Sequence, residues 1–148
     1  MSLRPSFDPR EVSERFFPTT FLYAAGHLWL QVDDLTATVG FTEFMFELVQ
    51  RQYLYIQLPE VQTTITRGES IGAVDSFKVA MPILAPCSGR VIEVNSDIQR
   101  DPQLVMTSPY TRGWLLRLEM SDPLEIRRLM RLADYREYMQ KPDALNLG

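Results

Sequence analysis

Apolar residues recur at every second position along much of this chain, in segments too short to be anything but the strands of a small β domain. Phe21 and Tyr23, then Leu28, Leu30 and Val32, alternate with their neighbours, and so do Tyr53 to Leu58 and, near the end, Trp114, Leu116 and Leu118. Between Val61 and Val94 the glycines Gly68, Gly72 and Gly89 sit among β-branched and small residues, which predicts several short strands joined by tight turns. Asp33-Asp34 marks a turn between the strands that run from Thr20 to about Val39. Strands outnumber helices, so the expected class is mainly β, with helices added at both ends.

The helical additions carry their own punctuation. Asp8 and Pro9 open an N-terminal helix over Val12, Arg15 and Phe16, which Pro18 ends. Residues 1–19 are therefore expected to be a helical extension and 20–148 the domain proper. Thr42 opens a short amphipathic helix through Phe44 and Leu48 to about Gln50. Ser96 to Met106 reads as a loop with one helical turn. At the end, Ser121 or Asp122 caps a helix with Pro123 in its first position, and Asp134 caps a further turn through Tyr135, Tyr138 and Met139.

Composition narrows the chemistry. The 148 residues are 45% hydrophobic and 23% charged, the balance of one ordinary globular domain rather than a disordered chain. A net charge of -4 argues against a nucleic-acid binder, which needs clustered basic residues. With one cysteine and one histidine, Cys87 and His27, neither a disulfide scaffold nor a four-ligand zinc site can be assembled. No signal peptide opens the sequence, no run approaches the roughly 18 apolar residues of a membrane span, and a cytoplasmic protein with no membrane partner is the expectation.

Few residues suggest catalysis, and no glycine-rich phosphate loop is present. His27 stands on a predicted strand with no nucleophile motif nearby and reads as structural. Cys87, between Pro86 and Ser88-Gly89, reads as a small, partly buried residue rather than a reactive thiol. Arg127, Arg128 and Arg131 form a solvated helix face by default and a docking patch as the alternative. Lys78 differs. It stands near the middle of the apolar run Ile71 to Leu84, whose other charge is Asp75, with Gly68 and Gly89 at nearly equal distances on either side. A lysine at a hairpin tip between two similar halves suits the attachment of an arm, although on spacing alone an ordinary exposed turn lysine is the better reading.

Several ordered motifs resemble one family, the H protein of the glycine cleavage system, a lipoyl carrier. His27-Leu28-Trp29-Leu30 resembles the family's His-Glu-Trp-Val, and Val39-Gly40-Phe41-Thr42 its Val-Gly-Ile-Thr. Leu58-Pro59-Glu60-Val61 is its Leu-Pro-Glu-Val, and Gly72 to Val79 is similar to Gly-x-Val-Glu-Ser-Val-Lys-Ala, whose lysine is lipoylated. Ala85 to Gly89 with Val91 to Asn95, Ser108-Pro109-Tyr110, and Gly113-Trp114-Leu115 complete the match, which runs from about Tyr23 to Tyr138. The resemblance implies a flattened barrel-sandwich hybrid of the lipoyl/biotinyl type. It implies lipoate in amide linkage to Lys78, a lipoyl-attaching enzyme as partner, and a carrier rather than an enzyme.

Two departures bear on the cargo. In the family, the Glu of His-Glu-Trp and an Asp four positions after the lipoyl lysine help hold an aminomethyl-loaded arm; here those positions are Leu28 and Pro82, and neither side chain accepts a hydrogen bond. The family's Leu-Gly-Asp is also replaced, by Leu48 to Gln52. The combination resembles the H-like lipoate-binding proteins of bacterial sulfur oxidation. It implies a lipoyl arm that shuttles sulfur intermediates for a heterodisulfide-reductase-like complex. The alternatives are a glycine cleavage H protein carrying the aminomethyl group between the glycine cleavage enzymes, a lipoyl relay, or an interaction module that is never lipoylated.

Overall fold

The computed structural model describes residues 17–48, 54–76 and 80–141. The expected N-terminal helix falls within 1–16, outside them, as do the end of the helix placed near Gln50 and the start of the strand placed at Tyr53.

Among the described residues nine strands form two antiparallel sheets. The larger has six: β1 (Leu22–Ala24), β2 (Leu28–Asp33), β3 (Thr36–Phe41), β5 (Thr64–Ile65), β8 (Gly89–Val94) and β9 (Leu116–Met120), in the spatial order β1-β2-β3-β9-β8-β5. The smaller has three, β4 (Tyr55–Gln57), β6 (Ser70–Asp75) and β7 (Ala80–Leu84), in the order β4-β6-β7. Inward residues of both, such as Leu30, Val39 and Leu118 from the larger and Val74, Met81 and Ile83 from the smaller, belong to one buried cluster. This is the mainly β, flattened barrel-sandwich architecture that the resemblance implied.

Local chemistry explains the hairpins. Asp33 pairs with Thr36, so β2 and β3 are joined by Asp34-Leu35, and Asp34 takes φ 56 in the left-handed region that aspartate tolerates. The joining of β3 to β9 is not local: Thr36 pairs with Glu119 and Val39 with Leu116. The alternation in β2 breaks where Leu28, Trp29 and Leu30 are all buried. Trp29 faces away from its two neighbours, yet Phe21 stacks on it at 4.7 Å and Tyr110 lies at 6.3 Å, so aromatic residues cover the second face at Trp29, while Gln31 and Asp33 farther along it are exposed.

Helix α1 (Glu43–Leu48) follows Thr42 as expected, but the later helices depart further from expectation. Ser96 to Met106 holds two, α2 (Ser96–Arg100) and α3 (Leu104–Thr107), rather than a loop with one turn. Asn95 makes α2 possible: its Oδ1 accepts from the Asp97 N–H at 3.0 Å, while Nδ2 donates to the carbonyls of Arg112 and Trp114. The last strand begins at Leu116, not Trp114. Asp122 does cap the next segment, accepting from the Leu124 N–H, but Pro123–Arg128 is a 3-10 helix. It has no buried residue to lengthen it, and its Glu125 is tied to Ser88, whose N–H and Oγ–H donate to the carboxylate at 2.6 and 3.0 Å. The last helix among the described residues, α4 (Leu132–Met139), starts after Arg131, so Asp134 lies inside it instead of capping it.

Candidate attachment hairpin and its surroundings

The strands β6 and β7 pair antiparallel up to Asp75 and Ala80, which are direct partners. Lys78 lies outside the described residues. Covalent connectivity alone assigns it to the four-residue link 76–79 between that pair. Cross-strand partners share a face of a sheet, so Tyr55, Asp75 and Ala80 form one outward row beside the link, and Gln57, Ala73 and Pro82 form a second. Ile56, Val74 and Met81 form the inward row between them, with Val74 and Met81 buried. The hairpin is thus anchored by its inner row, while its outer face is built largely from small residues.

Gly72 is needed for this packing. A Cβ there would lie 2.2 Å from the backbone carbonyl oxygen of Gln57 on β4, a clash that only separating the strands could relieve. The adjacent register shift between Ser70 and Gly72 bends the far end of the hairpin.

The two positions that depart from the family pattern are on different sheets. Leu28 is in β2 with its side chain buried, and Pro82 is half-buried in β7. Neither supplies a carboxylate, and neither lines the cavity described below.

His27 is not on a strand. It ends the turn after β1, with φ 62, and is fully buried. Its Nδ1 lies 2.8 Å from the Tyr135 hydroxyl, which is also 2.7 Å from Thr42 Oγ1. One hydroxyl proton serves two contacts, so Tyr135 donates to one group and accepts from the other. Burial pushes the Tyr135 phenol well above its ordinary range, against the lowering effect of the Thr42 hydrogen bond, and keeps it protonated. Tyr135 also stacks on Tyr23 at 4.7 Å, and the backbones of Tyr23 and Met130 exchange two hydrogen bonds of 2.7 Å. This node clasps α4 onto β1 and the turn that follows it, a structural role for the histidine as the sequence suggested. Tyr135→Phe is expected to cost about 1–3 kcal/mol, the usual loss when a buried polar group is deprived of a partner, read as a lowered midpoint in urea unfolding at unchanged m.

Cys87 is fully buried in the turn before β8. Burial, with the Glu125 carboxylate adding to it, pushes the thiol up to about 11. It is therefore a packed thiol, not a nucleophile. Because the folded value lies above the unfolded one of 9.0, the unfolded chain ionises first as pH rises. Stability from this residue is full below pH 9.0 and declines toward pH 11, at up to about 1.4 kcal/mol per pH unit. Cys87→Ala is expected to flatten the fall in unfolding free energy between pH 9.0 and 10.0, where the buried tyrosines stay protonated in the folded state. Denaturant unfolding at each pH measures it.

Of the basic cluster, Arg127 and Arg128 end the 3-10 helix and Arg131 precedes α4, all three exposed. Arg67, which no local pattern singled out, joins Arg128 at the rim of one cavity. Only the tertiary fold pairs them. Among the described residues no group of His, Cys, Asp and Glu is placed to hold a metal ion, and no helix is long and apolar enough to cross a membrane.

Comparison with known proteins matches residues 21–142 to the family model of the glycine cleavage H-protein. Glycine cleavage system H protein 2, mitochondrial, of Arabidopsis thaliana is 36% identical over 137 residues, covering 90% of this chain and 87% of the relative. The glycine cleavage system H protein of Pectobacterium atrosepticum is 38% identical, covering 85% of this chain and 97% of the relative. Among solved structures, a glycine cleavage system H protein from Mycobacterium marinum superposes with a TM-score of 0.73 at 31% identity, covering 82% of this chain and 98% of the other.

Proposed function

Because the chain belongs to the glycine cleavage H-protein family, we propose that it is a lipoyl carrier, not an enzyme, whose arm is attached to Lys78. The observation that carries this reading is the hairpin. Paired strands bracket a four-residue link, and the link contains one of only two lysines in the sequence, the other being Lys141 beyond α4. An amide-linked arm needs a primary amine, and Lys78 is the one borne on a connection between two ladder-paired strands.

The residues present fit such a group. The inner row Ile56, Val74 and Met81 holds the base of the hairpin against the core, and on the hairpin strands themselves the outer row beside the link is Asp75 and Ala80, with Tyr55 contributed by β4. Lipoate, when bound, supplies two sulfurs that accept and release a cargo. The protein's part is to present the amine to the attaching enzyme and to keep the hairpin rigid beneath it.

The relatives are named for the glycine cleavage system, and partners drawn from that system are favoured over the sulfur-oxidation complex expected from the departures. A second reading, a sulfur-bearing cargo for a heterodisulfide-reductase-like complex, is kept by one observation. Leu28 and Pro82 put no acceptor where an ammonium-bearing cargo would need one.

Intact-mass measurement of the chain purified from its native host tests both levels. A single lipoyl increment supports the carrier reading, and an unmodified mass in cells that make the protein would replace it with an interaction module. Extra mass on the reduced arm separates a one-carbon amine from added sulfur.

A further inference from the structure

A cavity of about 310 Å3 opens at the end of β7 remote from the lysine link. It lies where the β1–β2 turn, the turn at Arg67-Gly68, the segment Leu84 to Pro86 and the stretch from Arg128 to Met130 meet. Its size is at the small end of ligand-sized pockets, about 300–1,000 Å3, room for a side chain rather than a large cofactor. Ala24, Leu84, Pro86 and Met130 give it apolar walls, and Arg67 and Arg128 supply its charge. None of the described residues lining it is acidic.

The charge at this place runs against the molecule's own. The whole chain carries -4, yet Arg127 and Arg131 flank Arg128 in sequence, and among the described residues none of the four guanidiniums has an ion-pair partner. The acid of the 3-10 helix, Glu125, is taken up by the N–H and Oγ–H of Ser88. Guanidiniums bind carboxylates in a planar, two-pronged geometry, and an apolar recess beside them suits one buried anchor residue.

We propose that this cavity is a docking socket for an acidic segment of a partner protein, whose apolar side chain enters between Leu84 and Met130 while flanking carboxylates pair with Arg67 and Arg128. From Ala80 to Leu84 is four steps along the strand, about 13 Å at roughly 3.3 Å per residue. A partner seated here leaves the 76–79 link uncovered. The socket is independent of whether Lys78 is modified, so the unmodified full chain tests it without invoking the carrier reading.

The probe is acetyl-Glu-Glu-Leu-Glu-Glu-amide, titrated into the 15N-labelled chain. The expected result is saturable shifts at the amides of Ala24, Gly68, Ala85 and Met130, weakened by added salt, and weaker by at least about tenfold in Arg67→Gln/Arg128→Gln. Both arginines are exposed, so the remaining spectrum of that variant is expected to be unchanged. On the unaltered protein, a peptide with Lys in place of Glu should leave those amides unmoved, and one with Ser in place of Leu should bind more weakly. The proposal is overturned if the acidic peptide shifts none of these amides, if the Lys peptide shifts them equally, or if replacing Leu by Ser makes no difference.

Discussion

Lys78→Arg is expected to abolish carrier turnover and the lipoyl mass increment completely, while changing unfolding free energy by less than about 0.5 kcal/mol. The chemistry is asymmetric. A lysine amine can lose its proton and be acylated, whereas a guanidinium stays charged at any working pH and is a poor acyl acceptor. The β6–β7 ladder is completed at Asp75 and Ala80, and its anchoring row Ile56, Val74 and Met81 is untouched by the change. Lys141→Arg is the matched control, because it removes the other amine while leaving the hairpin link alone. Intact mass and turnover with partner enzymes read the two variants side by side. A lipoyl increment that survives in Lys78→Arg and vanishes in Lys141→Arg would move the attachment site to the C-terminal end.

The second large effect lies in the fold. Trp29→Ala is expected to cost about 3–5 kcal/mol, as large-to-small changes at buried aromatics do. The ring is buried, stacked on Phe21, and its Nε1–H donates to the Pro109 carbonyl at 2.9 Å. Opposite it in the β2–β3 ladder is Gly40, where a Cβ would lie 2.5 Å from the indole. Gly40→Ala is therefore expected to be strongly destabilising beside Trp29 but close to neutral in the Trp29→Ala background, where the added methyl enters vacated space. Chemical unfolding of the two single variants and the double variant gives a coupling energy of about 1–3 kcal/mol. Simple additivity would mean that the indole is not what requires glycine at this position.

The departures at Leu28 and Pro82 show how far a resemblance carries. The shared motifs point to the family and to Lys78, because several ordered patterns at matching spacings are far more specific than one short pattern. Leu28 and Pro82 were equally visible in the sequence, but their meaning depends on what the cargo meets, and the structure sets them on separate sheets. The names of the relatives therefore weigh more for the partners than these two residues do.

By itself the sequence determined what short-range physics controls. Period-two alternation specified strands, Asp33-Asp34 placed the β2–β3 turn to within one residue, and Asp122-Pro123 started the 3-10 helix. Each of these signals acts within a few residues, through steric limits on the backbone or a side chain reaching a nearby N–H. The tertiary structure alone decided whatever depends on groups far apart in sequence. Asn95 starts α2 while held by the carbonyls of Arg112 and Trp114, His27 is structural because Tyr135 meets it across 108 positions, and Trp29 on the second face of β2 is buried because Phe21 and Tyr110 close over it. Arg67 and Arg128 likewise share a cavity only through the folded arrangement of their segments. Contacts of this kind leave no periodicity to read, since nothing in either partner's local sequence specifies the other.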